Sequence, residues 1–149
     1  MIKITRRFTF SAGHRLGLHE GACNQFHGHN YVLEVTVARL DGSVNSRGMV
    51  ADFHDISALI EKWLKDNWDH STILSDADEE ALGALTPNYK VCRTAGEPTA
   101  ENMAFVLFYE VIPELLSQIS KGALRVLEVV LWENEKSKAT VNDEQLRAK

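Results

Sequence analysis

His27-Gly28-His29-Asn30-Tyr31-Val32-Leu33-Glu34-Val35-Thr36-Val37 alternates in the way that decides the fold. Side chains two apart on an extended chain project to one face, so Tyr31, Leu33, Val35 and Val37 share a face with His27 and His29, while Glu34 and Thr36 lie opposite. Such a strand needs a core on its apolar side, and the two imidazoles at its head can aim at one ion. Upstream, residues 2 to 11 form another strand-like run, and His14 follows it in Ser11-Ala12-Gly13-His14-Arg15-Leu16. A neighbouring strand of this kind brings His14 alongside the pair as a third nitrogen. A borderline-soft ion such as zinc accepts this nitrogen-rich set, and a site with three protein ligands usually keeps a fourth position for water or substrate. Cys23 lies four residues before His27. It is either a reactive thiol beside an open site or the fourth ligand of a closed structural site. His19 belongs to no motif and reads as solvated.

Working outward, a Gly/His-rich loop runs to about residue 26, and Asp41-Gly42-Ser43 ends the second strand. Gly48-Met49-Val50-Ala51-Asp52-Phe53 then leads into a helix with Ile56, Leu59, Ile60, Trp63 and Leu64 on one stripe and Asp52 as its cap. His54 and Asp55 in its first turn read as structural or solvated. Residues 71 to 97 read as a long excursion with a short helical turn between Glu79 and Leu85. Pro98-Thr99-Ala100-Glu101-Asn102 announces a second helix, capped by Thr99 and kinked or restarted at Pro113. Leu124 to Glu133 is apolar on both alternating faces, Leu127/Val129/Leu131 and Val126/Val130/Trp132. Such a strand needs cover on both sides, the helices on one and most simply another subunit on the other. A last short strand near residues 139 to 141 precedes a polar tail expected to be disordered. The order is ββααββ: an α+β chain with a four-stranded antiparallel sheet and two helices on one face.

At 149 residues and 16.7 kDa the chain fits a single domain spanning 1–149, long enough to bury a sizeable core. The net charge of −5 argues against a general nucleic-acid binder. The N-terminus lacks the apolar core of a signal peptide, and no apolar run approaches the length needed to cross a bilayer, which predicts a cytoplasmic protein with no membrane partner. Cys23 and Cys92 are expected to be reduced thiols rather than a disulfide.

Several segments occur in a telling order: Phe10-Ser11-Ala12-Gly13-His14-Arg15-Leu16, Cys23 separated by three residues from His27-Gly28-His29-Asn30-Tyr31, Gly48-Met49-Val50 before Asp52-Phe53, Asp69-His70, Pro98-Thr99-Ala100-Glu101-Asn102, and Glu133. In that order, over about residues 5 to 135, they resemble the 6-pyruvoyltetrahydropterin synthase and 6-carboxytetrahydropterin synthase family. The resemblance implies a tunnelling (T-) fold in which four-stranded units join into an oligomeric barrel and two trimers stack into a homo-hexamer. By the same resemblance His14, His27 and His29 correspond to the Zn2+ ligands, Cys23 to the catalytic thiol, and Asp69 with His70 to an acid/base pair that can act from a neighbouring subunit. Glu133 corresponds to the carboxylate that holds the pterin ring, and Thr99 and Glu101 border the pterin pocket in a supporting role. Arg15, Lys3, Arg6 and Arg7 are triphosphate candidates from charge alone.

The family's substrate, 7,8-dihydroneopterin triphosphate, must lose side-chain protons beside hydroxyl-bearing carbons, and a Lewis-acidic zinc polarises those C–H bonds. Three residues between Cys23 and His27 resemble the bacterial 6-carboxytetrahydropterin synthases of the queuosine and deazapurine route, which release acetaldehyde and triphosphate. A pyruvoyl-type lyase that only eliminates triphosphate is the second reading, and a zinc-stabilised pterin-binding protein without turnover the third. Two positions depart from the family pattern: Asn134 follows Glu133 in place of threonine, and Trp68 precedes Asp69 in place of an aliphatic residue.

Overall fold

A computed structural model describes residues 1–142. The polar tail predicted after the last strand lies outside the described residues. Strands β1 (Lys3–His14), β2 (His27–Arg39), β5 (Leu124–Asn134) and β6 (Ser137–Asn142) form the expected antiparallel meander, β1 with β2, β2 with β5 and β5 with β6. Among the described residues the sheet has six strands rather than four, because the excursion after the first helix supplies β3 (Ser71–Ser75) and β4 (Val91–Thr94), which extend the sheet in parallel from the end of β1 to give the order β4-β3-β1-β2-β5-β6. Each pairs with its neighbour over only three or four residues, too short for a period-two pattern to register. The turn expected between them is α2 (Glu79–Leu85), capped by Asp78.

Helix α1 (Phe53–Asn67) starts where Asp52 accepts from the His54 amide, and it buries Ile56, Ile60 and Leu64. The second long helix is α3 (Ala100–Val106), a π-helical turn (Leu107–Val111) and α4 (Ile112–Ser120) in one continuous run. Thr99 caps it by accepting from the Asn102 amide. Pro113 has no N–H to give to the preceding turn, and the helix widens just ahead of it before restarting. This 21-residue run, Ala100–Ser120, is long and apolar enough by length and composition to cross a membrane, contrary to the sequence expectation. Here Met103, Leu107, Ile112 and Leu116 are buried in the core against the sheet.

Both long helices cover one face of the sheet, packing on Phe8, Phe10, Tyr31, Leu33, Val35 and Val37. In β5 the phase differs from simple alternation. Thr36 pairs with Glu128 and Val37 with Val126, so Leu127 is an extra residue in a bulge, and Val126 joins Val129 and Leu131 in the core. The opposite face keeps Val130 and Thr36 buried beside the half-buried Trp132. Leu33, fully buried, is the central test of this packing. Leu33→Ala should lower unfolding free energy by about 3 kcal/mol in denaturant titrations, whereas a loss under about 1 kcal/mol would contradict its place in the core.

Candidate metal centre and flanking clefts

The β1/β2 register sets His14 directly opposite His27 and Ala12 opposite His29. Gly13 pairs with Gly28 between them, and the strands approach so closely that a Cβ on Gly28 would meet the Ala12 carbonyl at 3.0 Å. The three imidazoles converge as the sequence predicts, with ring centroids 4.5, 5.0 and 5.1 Å apart and one ligating atom from each within 4.8 Å of the others. Cys23 is not in that group.

The backbone decides which nitrogens face the centre. His14 Nδ1 lies 2.8 Å from the Pro98 carbonyl, and His27 Nδ1 lies 2.7 Å from the Gln25 carbonyl. A carbonyl only accepts, so each Nδ1 carries the proton and each Nε2 presents a lone pair. Those two Nε2 atoms stand 2.9 Å apart. Two lone pairs at that distance repel unless a cation or an added proton lies between them. Among the described residues, His29 Nε2 is buried with no hydrogen-bond partner, since the Glu133 carboxylate at 3.7 Å is too far for one. The donor set therefore fits a metal ion, with Pro98 and Gln25 orienting ligands in the way that second-sphere carbonyls do.

Burial, the largest influence, holds His14 and His29 below the usual histidine value. The Pro98 carbonyl opposes it at His14 and the Glu133 charge opposes it at His29. Tyr31, fully buried, places its hydroxyl 3.3 Å from His14 Nδ1, and burial pushes its phenol above the usual range.

A cleft of about 350 Å³ on one side is lined by Ser11, His29, Asn30 and His70. Behind His70, Asp69 Oδ2 lies 2.9 Å from His70 Nδ1, while Asp69 Oδ1 accepts from the Ser11 amide at 3.0 Å. Burial raises the Asp69 carboxyl, but the Ser11 amide and the His70 ring lower it further, and it lies below its usual value. A second cleft of about 710 Å³ is lined by His29, Asn30, Arg7, Trp132 and Glu133. His29 borders both.

Cys23 sits half-buried in a single 3₁₀ turn (Ala22–Asn24), its carbonyl held by the Leu16 amide at 2.9 Å. Both Cys23 and Cys92 are free thiols. Thr99 and Glu101 line neither cleft; Thr99 spends its hydroxyl on the helix cap, and Glu101 is exposed in the first turn. Of the cations named from charge, Arg15 is ion-paired with Asp78 at 3.2 Å and Glu80 at 2.9 Å, and Arg6 donates to Ser57. His19 is exposed, its Nδ1 accepting from the Gly21 amide.

The family model of 6-pyruvoyl tetrahydropterin synthase matches residues 3–144. The chain belongs to that family. A relative from Rickettsia typhi named 6-carboxy-5,6,7,8-tetrahydropterin synthase is 44% identical over 118 residues, covering 77% of this chain and 83% of its own. One of the same name from Haemophilus influenzae is 32% identical over 142 residues, 92% of this chain and 96% of its own. The solved 6-pyruvoyl tetrahydropterin synthase of Caenorhabditis elegans superposes with a TM-score of 0.65 at 27% identity, covering 96% of both chains. The chain has the T-fold of this 6-pyruvoyl tetrahydropterin synthase family.

Three members of the centre escape a sequence reading. The Gln25 and Pro98 carbonyls are backbone atoms with no signature of their own, although Pro98 opens a motif that the sequence does mark. Tyr31 shows only as a core residue of the strand.

Two outcomes follow. A metal ion such as zinc, added in calorimetric titrations, should bind the parent chain and be lost on alanine substitution at His14, His27 or His29, while alanine at His19 or His54 should leave binding within about twofold; equal effects would contradict the assignment. In the metal-free protein, lowered folded-state values at His14 and His29 make protonation favour the unfolded chain. Their contribution is complete above about pH 6.5 and is lost as pH falls through the lowered values. Urea midpoints should therefore drop between about pH 6.5 and 5.5, and a rise would contradict the burial of these rings.

Proposed function

We propose that this chain is a zinc-dependent 6-carboxy-5,6,7,8-tetrahydropterin synthase, a lyase converting 7,8-dihydroneopterin triphosphate to 6-carboxytetrahydropterin, acetaldehyde and triphosphate. The observation that carries the reading is the three-histidine cluster with Cys23 outside it, flanked by Asp69 and His70 on one side and Glu133 on the other. The names of the relatives from Rickettsia typhi and Haemophilus influenzae support the carboxy product, as does the three-residue spacing between Cys23 and His27.

His14, His27 and His29 hold the Zn2+, which when bound supplies Lewis acidity toward the substrate's side-chain oxygens. Glu133 accepts paired hydrogen bonds from the pterin amino group and ring N–H, fixing the ring in the larger cleft. Cys23 takes a side-chain proton as general base. His70 moves the partner proton, and Asp69, anchored on the Ser11 amide, orients the imidazole and balances its charge. Thr99 and Glu101 support the pocket through the start of α3. Other subunits join this one edge to edge to close the barrel, covering the sheet face that carries Val130 and Trp132, as a homo-hexamer in the cytoplasm.

Zinc-loaded protein incubated anaerobically with 7,8-dihydroneopterin triphosphate should yield 6-carboxytetrahydropterin and acetaldehyde by mass spectrometry. Cys23→Ala should keep its zinc and lose at least about 100-fold in kcat. A pyruvoyl product would move the chain to the triphosphate-eliminating branch. No turnover with zinc bound, or loss of zinc in Cys23→Ala, would favour a pterin-binding protein instead.

A further inference from the structure

Lys90 stands one residue before β4, where its carbonyl accepts from the Thr72 amide at 3.0 Å and ties β4 to β3. Its ammonium reaches back to two backbone carbonyls, Lys65 at 2.6 Å and Asp69 at 2.7 Å. The first is an orphan acceptor in the last turn of α1, of the kind a cationic side chain satisfies. The second belongs to the peptide unit that joins Asp69 to His70. At the other end of that same unit, the His70 amide donates to the Ser11 carbonyl at 2.7 Å. Both polar ends of one peptide are thus held, by β1 on one side and Lys90 on the other.

What this peptide carries is an unusual backbone. His70 has φ of 55°, in the left-handed region that a side chain with a Cβ rarely adopts. Such a conformation persists where its surroundings over-determine it. The Asp69 amide is also held, by the Leu64 carbonyl at 2.7 Å, and its carboxylate by the Ser11 amide. The His70 ring itself is 82% exposed, so packing does not aim it. Its direction comes from the backbone turn and the Asp69 carboxylate.

We infer that Lys90 is a positioning residue for the Asp69 and His70 pair, locking through the Asp69 carbonyl the peptide plane that points the His70 ring into its cleft. This rests on the acid/base reading of His70 given above. Lys90 touches no substrate in this scheme, and its effect falls on turnover rather than on binding.

The test uses zinc-loaded protein and 7,8-dihydroneopterin triphosphate, with Lys90→Met, Lys90→Arg and His70→Ala compared side by side. Lys90→Met keeps the aliphatic stem and removes the donors. It should lower kcat about tenfold with KM within about twofold and zinc content unchanged. Hydrogen exchange at the His70 amide should quicken in the same variant, and Lys90→Arg, whose guanidinium can span two carbonyls, should restore most of both properties. Unchanged kcat in Lys90→Met beside a large loss in His70→Ala would overturn the inference and leave the acid/base pair standing. Full turnover in His70→Ala would overturn the acid/base role itself, and unchanged His70 exchange in Lys90→Met would then show that Lys90 does not hold the turn. A raised KM at unchanged kcat would mark Lys90 as a substrate contact and also overturn the inference.

Discussion

The pairing of His14 with His27 across β1 and β2 is the constraint on which the rest of the site depends. It brings two imidazoles together edge-on with their Nε2 atoms adjacent, and the Pro98 and Gln25 carbonyls claim their outer protons. The inner lone pairs, 2.9 Å apart, are then an electrostatic liability that a cation turns into a ligand set. Gly13 and Gly28 let the strands approach at that point, and Tyr31 closes the buried side. A shift of one residue in this register would turn every core side chain of β2 outward together with the two histidines, so core burial and site geometry are enforced by the same pattern.

Because the alternation of β2 serves both purposes, the part of the fold nearest the site was the most legible in the sequence. Strands β1 and β2, the Asp52 and Thr99 caps and the restart at Pro113 all follow from local chemistry that leaves a mark on residue type. The short parallel strands β3 and β4 leave none, since a few residues paired at a sheet edge carry no period. The bulge at Leu127 was equally hidden, because Leu, Val and Val fit either face, and only the partner strand fixes which one turns inward. The three histidines were readable as ligands, but their tautomers depend on backbone carbonyls, and no residue type announces a carbonyl.

The surroundings of the triad divide the work by burial and charge. His14 is enclosed and neutral at ordinary pH, as a metal ligand must be, whereas His70 stands out in a cleft. Arg15, next to the first ligand, is taken up by Asp78 and Glu80, which fastens the Cys23 loop to the start of α2 rather than offering a cation to substrate. The centre thus receives its rigidity from the sheet, while the groups proposed to act on substrate, Cys23 and His70, lie on connections at its edge. That arrangement places the candidate ligands on strands and the proposed proton chemistry on connections.

X-ray absorption at the zinc edge of the metal-loaded protein separates an open three-histidine site from a closed one. The open site gives a coordination sphere of imidazole nitrogens and one further light atom, with zinc–nitrogen distances of about 2.0–2.1 Å and no sulfur. A sulfur scatterer at about 2.3 Å would place Cys23 on the metal, close the site, and contradict the assignment of that thiol as a base.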